Sequence, residues 1–244
     1  MDKPVYALDA SIARVNQQPS KLTLADRTYD RLRRDIVDGR FAPSSRLHLA
    51  SLCQRYGVGM SPVREALARL SSEGFAIALS QRGFRVSPLN LDDLKDLTVA
   101  REQLEASALR LAIENADDSW RQGLSASFDS LSRLDHALAD RAEEIIDQWE
   151  VANGEFHRAL VASCPSQWLL RMRELVYGQS QRYRRFSVIH TANIRRAHEE
   201  HRSIMEAALN RDADRACDMI RAHVLATSQN VLVALSAEAG ENLS

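Results

Sequence analysis

The stretch GVGMSPVREALARLSSEGFAIALSQRGFRV, from Gly57 to Val86, decides the fold. Gly57, Val58, Gly59 and Met60 make a short turn of the kind that sets two helices at a steep angle. The helix after the turn begins at Ser61, whose hydroxyl can cap it, and Pro62 suits its first position because the missing N–H would be unpaired there anyway. Val63, Leu67 and Leu70 give that helix one apolar face, and it ends near Gly74. Phe75 to Leu79 and Phe84 to Val86 then flank Gln81, Arg82 and Gly83, which reads as a small β-hairpin with a basic tip. Before the turn, Leu47 to Tyr56 is a second helix with Leu49, Leu52 and Cys53 inward. Earlier still, Leu24, Arg27, Tyr29, Leu32, Ile36 and Val37 recur with helical spacing up to Gly39, a C-cap followed by Pro43. Helix, helix, turn, helix, hairpin is the order of a winged helix-turn-helix, placed at residues 21–89.

Glycine and proline punctuate this unit and become sparse after Pro88. From Leu91 to Leu235 the pattern is helical throughout, through Leu94, Leu97, Leu104, Ala108 and Leu111, then Leu124, Phe128, Leu131 and Leu134, then Ile145, Trp149, Phe156 and Leu160. Further helices read from Trp168 to Tyr183, from about Ile194 to Leu209, and from Ala213 to Leu235. No alternating β-branched run interrupts them. The expected fold class is mainly α: an N-terminal winged helix-turn-helix and, over residues 90–236, an all-α bundle of six or seven helices. Residues 1–20 read as a flexible N-terminal arm and 237–244 as a C-terminal tail.

The chain has 244 residues and a net charge of −1, with 27% of residues charged and 45% hydrophobic, which excludes collagen-like, disordered and disulfide-framework classes. A near-neutral total would argue against a polyanionic partner. By segment, however, residues 21–90 carry 12 Lys and Arg against 6 Asp and Glu, a surplus of six cations, whereas residues 91–244 carry 18 against 25. A basic third is joined to an acidic remainder, and nucleic-acid binding needs only the local surplus. Cys53, Cys164 and Cys217 lie far apart with no CxxC pair, and residues 1–20 lack the apolar run of a signal peptide. A location in the reducing cytoplasm is expected.

In a winged helix-turn-helix the second helix of the motif enters the major groove and the hairpin touches the adjacent backbone. Arg64 can grip guanine O6 and N7 in a fork, and Ser61 can meet a phosphate or base edge. Arg69 lies further along, placed for phosphate. Arg82 and Arg85 flank Gly83, where a missing side chain lets backbone approach the duplex. The alternative reading of Arg64 and Glu65 is an ordinary solvated helix face.

Residues Gly57 to Val86 resemble the DNA-binding domain of GntR-type bacterial transcription regulators, whose pattern runs GVSRTPVREALRRLEAEG. The resemblance implies contact with phosphates and bases at Ser61, Arg64 and the Gly83 wing tip. Two departures stand out. The family's usual Arg just after the turn is Met60 here, and a second frequent Arg contact in the preceding helix falls at Leu47. Arg46 or Arg55 are the candidate substitutes.

In the acidic bundle, His157 (in NGEFHRAL), His201 and His223 lie on separate predicted helices, and Asn153 shares a helix face with His157. A bundle can converge such side chains on a divalent ion, although a half-buried His is more often a hydrogen-bonded core residue. Residues 91–235 resemble the effector domain of the FadR subfamily, often called FCD, through VAREQLEASALRLA and EEHRSIMEAALNRDADRACDMIRAHV. The resemblance implies that an Asp and three His hold Zn, Ni or Mn, which helps bind a small carboxylate effector. His157, His201 and His223 match those histidines, and Asn153 stands at the Asp position, a poorer ligand than a carboxylate. Arg101 matches an Arg that faces the effector cavity; its alternative is a surface pair with Glu105. Tyr183, within the basic run RYRR, is a second candidate cavity residue. The stretch SQWLLRMRELVYGQSQRYR resembles the carbon-starvation-induced, glutarate-sensing repressor branch, which implies a short dicarboxylate such as glutarate.

These features point to a homodimeric repressor that binds double-stranded operator DNA and is released by a small carboxylate, with no membrane partner. The rival is a metal-dependent all-α enzyme carrying a winged-helix interaction module. HEEH at His198 to His201 lacks the HExxH spacing, and no glycine-rich phosphate loop or GxSxG is present.

Overall fold

The computed structural model describes residues 22–79, 83–190 and 194–241. The expected arm at 1–20 and the wing-tip residue Arg82 lie outside the described residues. Helix α1 (Leu24–Val37) opens with a capping box, in which the Thr23 hydroxyl accepts from the Asp26 amide and the Asp26 carboxylate accepts from the Thr23 amide, both at 3.0 Å. The Thr23 hydroxyl and amide, and then Arg69, hold the Asp26 carboxyl below the usual carboxylate range. Leu24 starts the helix but is 54% exposed; the buried face is Ala25, Thr28, Leu32 and Ile36. Gly39 follows the helix in the left-handed region, at φ +71°.

Two boundaries differ from the expectation. Leu47 does not begin a helix: Arg46–Leu47 is a short strand, β1, and Leu47 is buried opposite Phe84. Helix α2 (Leu49–Tyr56) starts after His48 and stops at Gly57, whose φ of +67° turns the chain sharply. Helix α3 (Met60–Ser72) is capped by Gly59, so Ser61 is its second residue and makes no cap bond. Pro62 still falls in the first turn, where an N–H has no intrahelical acceptor. Strands β2 (Ala76–Leu79) and β3 (Gly83–Val86) form the hairpin, and β1 joins its other side to give an antiparallel sheet of order β1-β3-β2. Leu32, Ile36, Leu52, Val63, Leu67, Leu70 and Phe75 form the core beneath.

The second unit contains α4 (Leu91–Glu114), α5 (Asp118–Leu160), α6 (Gln167–His190), α7 (Ile194–Leu209) and α8 (Ala213–Glu241). Helix α5 breaks at Arg141, where φ −137° and ψ 38° are non-helical. With α5 counted as two arms, the described residues form six helices, within the expected number. Helix α8 runs past the predicted boundary at 236. The bundle core holds Leu109, Ile113, Trp120, Leu124, Phe128, Phe156, Ile204 and Ile220.

Helix α6 also joins the two units. At Gly178 a Cβ would lie 2.0 Å from Arg33 Nη2 and 3.3 Å from Phe75, so the glycine allows α1 and the sheet to approach. Gln179 donates to the Glu73 carbonyl at 2.5 Å, and Arg182 to the Ser87 carbonyl at 2.5 Å. Arg185 pairs with Asp147 and, at 3.7 Å, with Asp38 of the winged unit. Among the described residues, no helix is long and apolar enough to cross a membrane.

Candidate functional site

The outer face of α3 carries Ser61, Arg64, Glu65 and Ala68, all exposed, opposite the buried Val63, Ala66, Leu67 and Leu70. Helical periodicity produces this division, because the apolar residues at i, i+4 and i+7 claim the core side. Arg64 and Ser61 have no hydrogen-bond or ion-pair partner among the described residues. Both are free to meet a duplex. Gly83, at the base of the wing, has φ +88° and nothing within 4 Å of where a Cβ would sit, so the backbone conformation is what calls for glycine there.

Arg46 and Arg85 stand directly opposite each other in the β1–β3 ladder. Like charges in register disfavour a sheet unless an anion lies against both, and Arg85 Nε is buried without a hydrogen-bond partner. Arg46 is exposed, whereas Leu47 is a core residue, so of the two Arg46 is the one placed on the surface. Two other candidates are already engaged. Arg69 bonds Asp26 at 2.8 Å and lies 4.0 Å from the Tyr29 ring centroid, clamping α3 to α1. Arg55 is held by Asp35 at 3.0 Å and packs over Phe41.

In the bundle, His157 from α5, His201 from α7 and His223 from α8 come together with candidate ligand atoms within 4.8 Å of one another, all three buried. Burial, and then the neighbouring His223, push the proton affinity of His157 and His201 well below the ordinary histidine range. Both imidazoles are therefore neutral at pH 7, the form that binds metals. No ring nitrogen of His157 or His201 has a hydrogen-bond partner. His223 Nδ1 sits 2.8 Å from Glu200, which directs its Nε2 elsewhere. Asn153 is buried beside them and donates its amide to the Tyr177 hydroxyl at 3.2 Å, which leaves its oxygen as the atom a metal could use.

Next to the histidines lie three buried arginines. Arg173 bonds Glu105 at 2.8 Å and the His157 carbonyl at 2.9 Å, and Arg184 makes a two-pronged contact with Glu150 at 2.6 and 3.0 Å. Arg101 is 3% exposed, so the expected surface pair with Glu105 is instead a buried approach at 3.6 Å that leaves Arg101 Nε, Nη2 and Glu105 Oε1 unbonded. Of the ten buried side-chain atoms without a partner among the described residues, seven belong to Arg101, Glu105, His157 and His201. Buried polar groups are normally satisfied, so their concentration marks a place built for a ligand.

Tyr183 makes its contacts away from the histidines and the three buried arginines. It is buried against Leu94 and Val231, and its hydroxyl donates to Asp93 at 2.5 Å beside Asn90, at the start of α4. The tyrosine beside the histidines is Tyr177, which the sequence reading missed. Arg101, Arg173 and Arg184 all stack within 5.0–5.3 Å of its ring. Arg173, Tyr177 and Arg184 are spaced i, i+4, i+11 and share one helix face, whereas Tyr183 lies about 240° around from Tyr177.

Comparison with known proteins agrees with both halves. Residues 24–86 match the gntR family of bacterial regulatory proteins and residues 96–226 match the FCD domain. The chain is 41% identical to the HTH-type transcriptional regulator BphR of Paraburkholderia xenovorans (strain LB400), over 83% of this chain and 82% of that protein. It is 35% identical to the HTH-type transcriptional repressor GlaR of Escherichia coli (strain K12), over 81% of this chain and 90% of that protein. The structure of E. coli McbR/YncC superposes with a TM-score of 0.75 at 21% identity, covering 89% of this chain and 100% of that one, and supports the fold. These relatives are regulators of transcription and not enzymes. With its winged reader, its helical sensor and these matches over both, the chain belongs to the gntR family of DNA-binding transcription regulators, in the group that carries an FCD domain.

Proposed function

We propose that this regulator is a repressor: a homodimer binds a pseudo-palindromic operator through two winged units, and a small carboxylate in the bundle releases it. The concentration of unpartnered buried atoms on Arg101, Glu105, His157 and His201 carries the reading. His157, His201 and His223, with Asn153 beside them, would hold a divalent ion such as Zn, Ni or Mn, and the donor set fits, being three neutral imidazoles with ring nitrogens unclaimed by the protein. The ion supplies a Lewis-acidic point for one carboxylate oxygen. Arg101 offers the second point, through the two nitrogens that Glu105 leaves unbonded. Arg101, Arg173 and Arg184 outnumber the Glu105 and Glu150 carboxylates they face among the described residues, which favours an anion, and a short dicarboxylate such as glutarate would offer one group to each point. The relative named as a repressor supports the sign of regulation.

Release needs only that the effector bind one of two bundle arrangements better. Helix α6 carries Arg173, Tyr177 and Arg184 at the cavity and Gln179, Arg182 and Arg185 at the junction, so reorganisation around Tyr177 moves the winged units and changes half-site spacing. Fluorescence anisotropy on an operator selected with metal-loaded protein tests this. Glutarate should weaken binding in the native protein and not in Arg101→Ala. Operator binding unaffected by any short carboxylate, or metal analysis finding no ion on purified protein, would overturn it.

A further inference from the structure

The junction between the two units holds a cavity that the proposed effector does not use. Its volume is about 260 Å³, and its walls are Ile36, Val37, Phe41, Val86 and Leu89, with Arg182, Arg185 and Asp38 at one side. Gly39, Ala42 and Pro43 on its rim are exposed, so it opens to solvent. Apolar walls with a few convergent polar groups are the ordinary make-up of a small-molecule site.

Arg182 is the unusual member. It is 7% exposed, and among the described residues no carboxylate lies within 4.0 Å of it. Its two hydrogen bonds go to neutral acceptors, Gln179 Oε1 at 3.0 Å and the Ser87 carbonyl at 2.5 Å. The buried arginines of the bundle differ, since Arg173 and Arg101 have Glu105 and Arg184 has Glu150. Arg185, on the same side of the cavity, is already claimed by Asp147 and Asp38. Burial lowers the proton affinity of Arg182, and Asp93, beyond ion-pair distance and bonded by the Tyr183 hydroxyl, offsets this only in part. A buried cation normally has an anion beside it. Among the described residues none lies within ion-pair distance of Arg182.

We infer that this junction is a second ligand site, which takes a small monocarboxylate with an apolar body, its carboxylate against Arg182 and its body along Phe41, Val86 and Leu89. Size sets the body: an apolar cavity of about 150 Å³ accepts benzene, so this one accommodates an aromatic or short aliphatic acid of roughly ten non-hydrogen atoms. Asp38 sets the charge number. Its carboxylate faces the same space and would repel a second anionic group, so the site favours one carboxylate where the bundle favours two.

The test uses the full chain with benzoate and hexanoate as probes, and benzylamine and glutarate as controls. Calorimetry should show both acids binding, benzylamine not binding, and affinity falling about ten- to a hundredfold in Arg182→Met, the effect of losing one charged hydrogen-bonded contact. Ala42→Trp, on the exposed rim, should block entry and also abolish binding, and it decides the matter if Arg182→Met does not fold. Arg101→Ala, which disables the bundle cavity, should leave benzoate affinity unchanged. No binding of either acid at millimolar concentration, equal binding of benzylamine, or loss of benzoate binding in Arg101→Ala with retention in Arg182→Met would overturn the assignment.

Discussion

Arg64→Ala and Arg69→Ala should separate cleanly, although both remove an arginine from the same helix of the reader. Arg64 is exposed and has no partner among the described residues, so its loss costs the fold little. If it forks a guanine, its loss should weaken operator binding by about 1–3 kcal/mol, roughly 5- to 150-fold, and relax discrimination at one base pair. Arg69 works inward. Its guanidinium lies 4.0 Å from the Tyr29 ring centroid, a contact of about 0.5–1 kcal/mol, while its solvent-exposed pair with Asp26 adds little. Arg69→Ala should therefore lower Tm by roughly 1–4 °C and leave operator affinity near native.

Anisotropy titrations at two salt concentrations, paired with thermal melts, measure both quantities. The salt slope adds a distinction: a base contact at Arg64 leaves it unchanged, and a phosphate contact reduces it by about 0.9. Equal loss of operator affinity in the two variants would refute the assignment of Arg69 to the α1–α3 clamp. A fall in Tm in Arg64→Ala as large as in Arg69→Ala would refute the free outer face of α3.

The bundle gives three further expectations. Because His157 and His201 titrate in the folded protein well below their unfolded pKa of about 6.5, the unfolded chain binds the extra protons, so stability is complete above that pH and falls as pH drops below it; denaturant titration of chelator-treated protein between about pH 7.5 and 5.5 should show a loss of up to about 2.7 kcal/mol per pH unit, and a flat profile would refute their burial as neutral rings. Glu200→Gln should weaken metal binding about 10- to 100-fold in a competitive chelator assay, because Glu200 fixes the His223 ring through Nδ1, and unchanged affinity would show that His223 needs no such support. Glu150→Gln should destabilise by about 3–5 kcal/mol by removing the carboxylate that the buried Arg184 guanidinium grips with two hydrogen bonds, whereas Glu150→Leu combined with Arg184→Met should recover most of that in denaturant unfolding.

The winged unit was legible because its turns are written in glycine and its helices in apolar periodicity: Gly57 adopts the left-handed conformation that a short interhelical turn needs, and Val63, Leu67 and Leu70 are fully buried as their spacing predicts. The boundary at Leu47 was not legible. An apolar residue followed by Leu49, Leu52 and Cys53 fits a helical stripe, and only its pairing with Phe84, far along the chain, makes it a strand. The three histidines could be named from sequence, but their convergence depends on the relative rotation of α5, α7 and α8. Tyr183 and Tyr177 show the same limit within one helix, since a run such as RYRR announces basic density while its helical phase sends Arg182, Tyr183, Arg184 and Arg185 to four different partners.

Charge counting reaches a similar limit in the reader. Of the cations behind its surplus, Arg31 lies over Tyr56, Arg33 over Phe75, Arg40 and Arg55 on Asp35, and Arg69 on Asp26 and Tyr29. These groups still contribute to the field of the unit, which acts over a screening length of about 8 Å and steers a polyanion toward it. Each of these guanidiniums is positioned by its internal partner, which leaves it less free to turn toward a phosphate even where donors remain. The field comes from the whole surplus, whereas the cations without a side-chain partner among the described residues are Arg27, Arg34, Arg46, Arg64 and Arg85. With Met60 exposed where the family usually has a cation, the proposed operator contact falls to the arginines that remain, and in the proposed homodimer a second winged unit would add to it, because pairing two modest readers multiplies their affinity without any new contact.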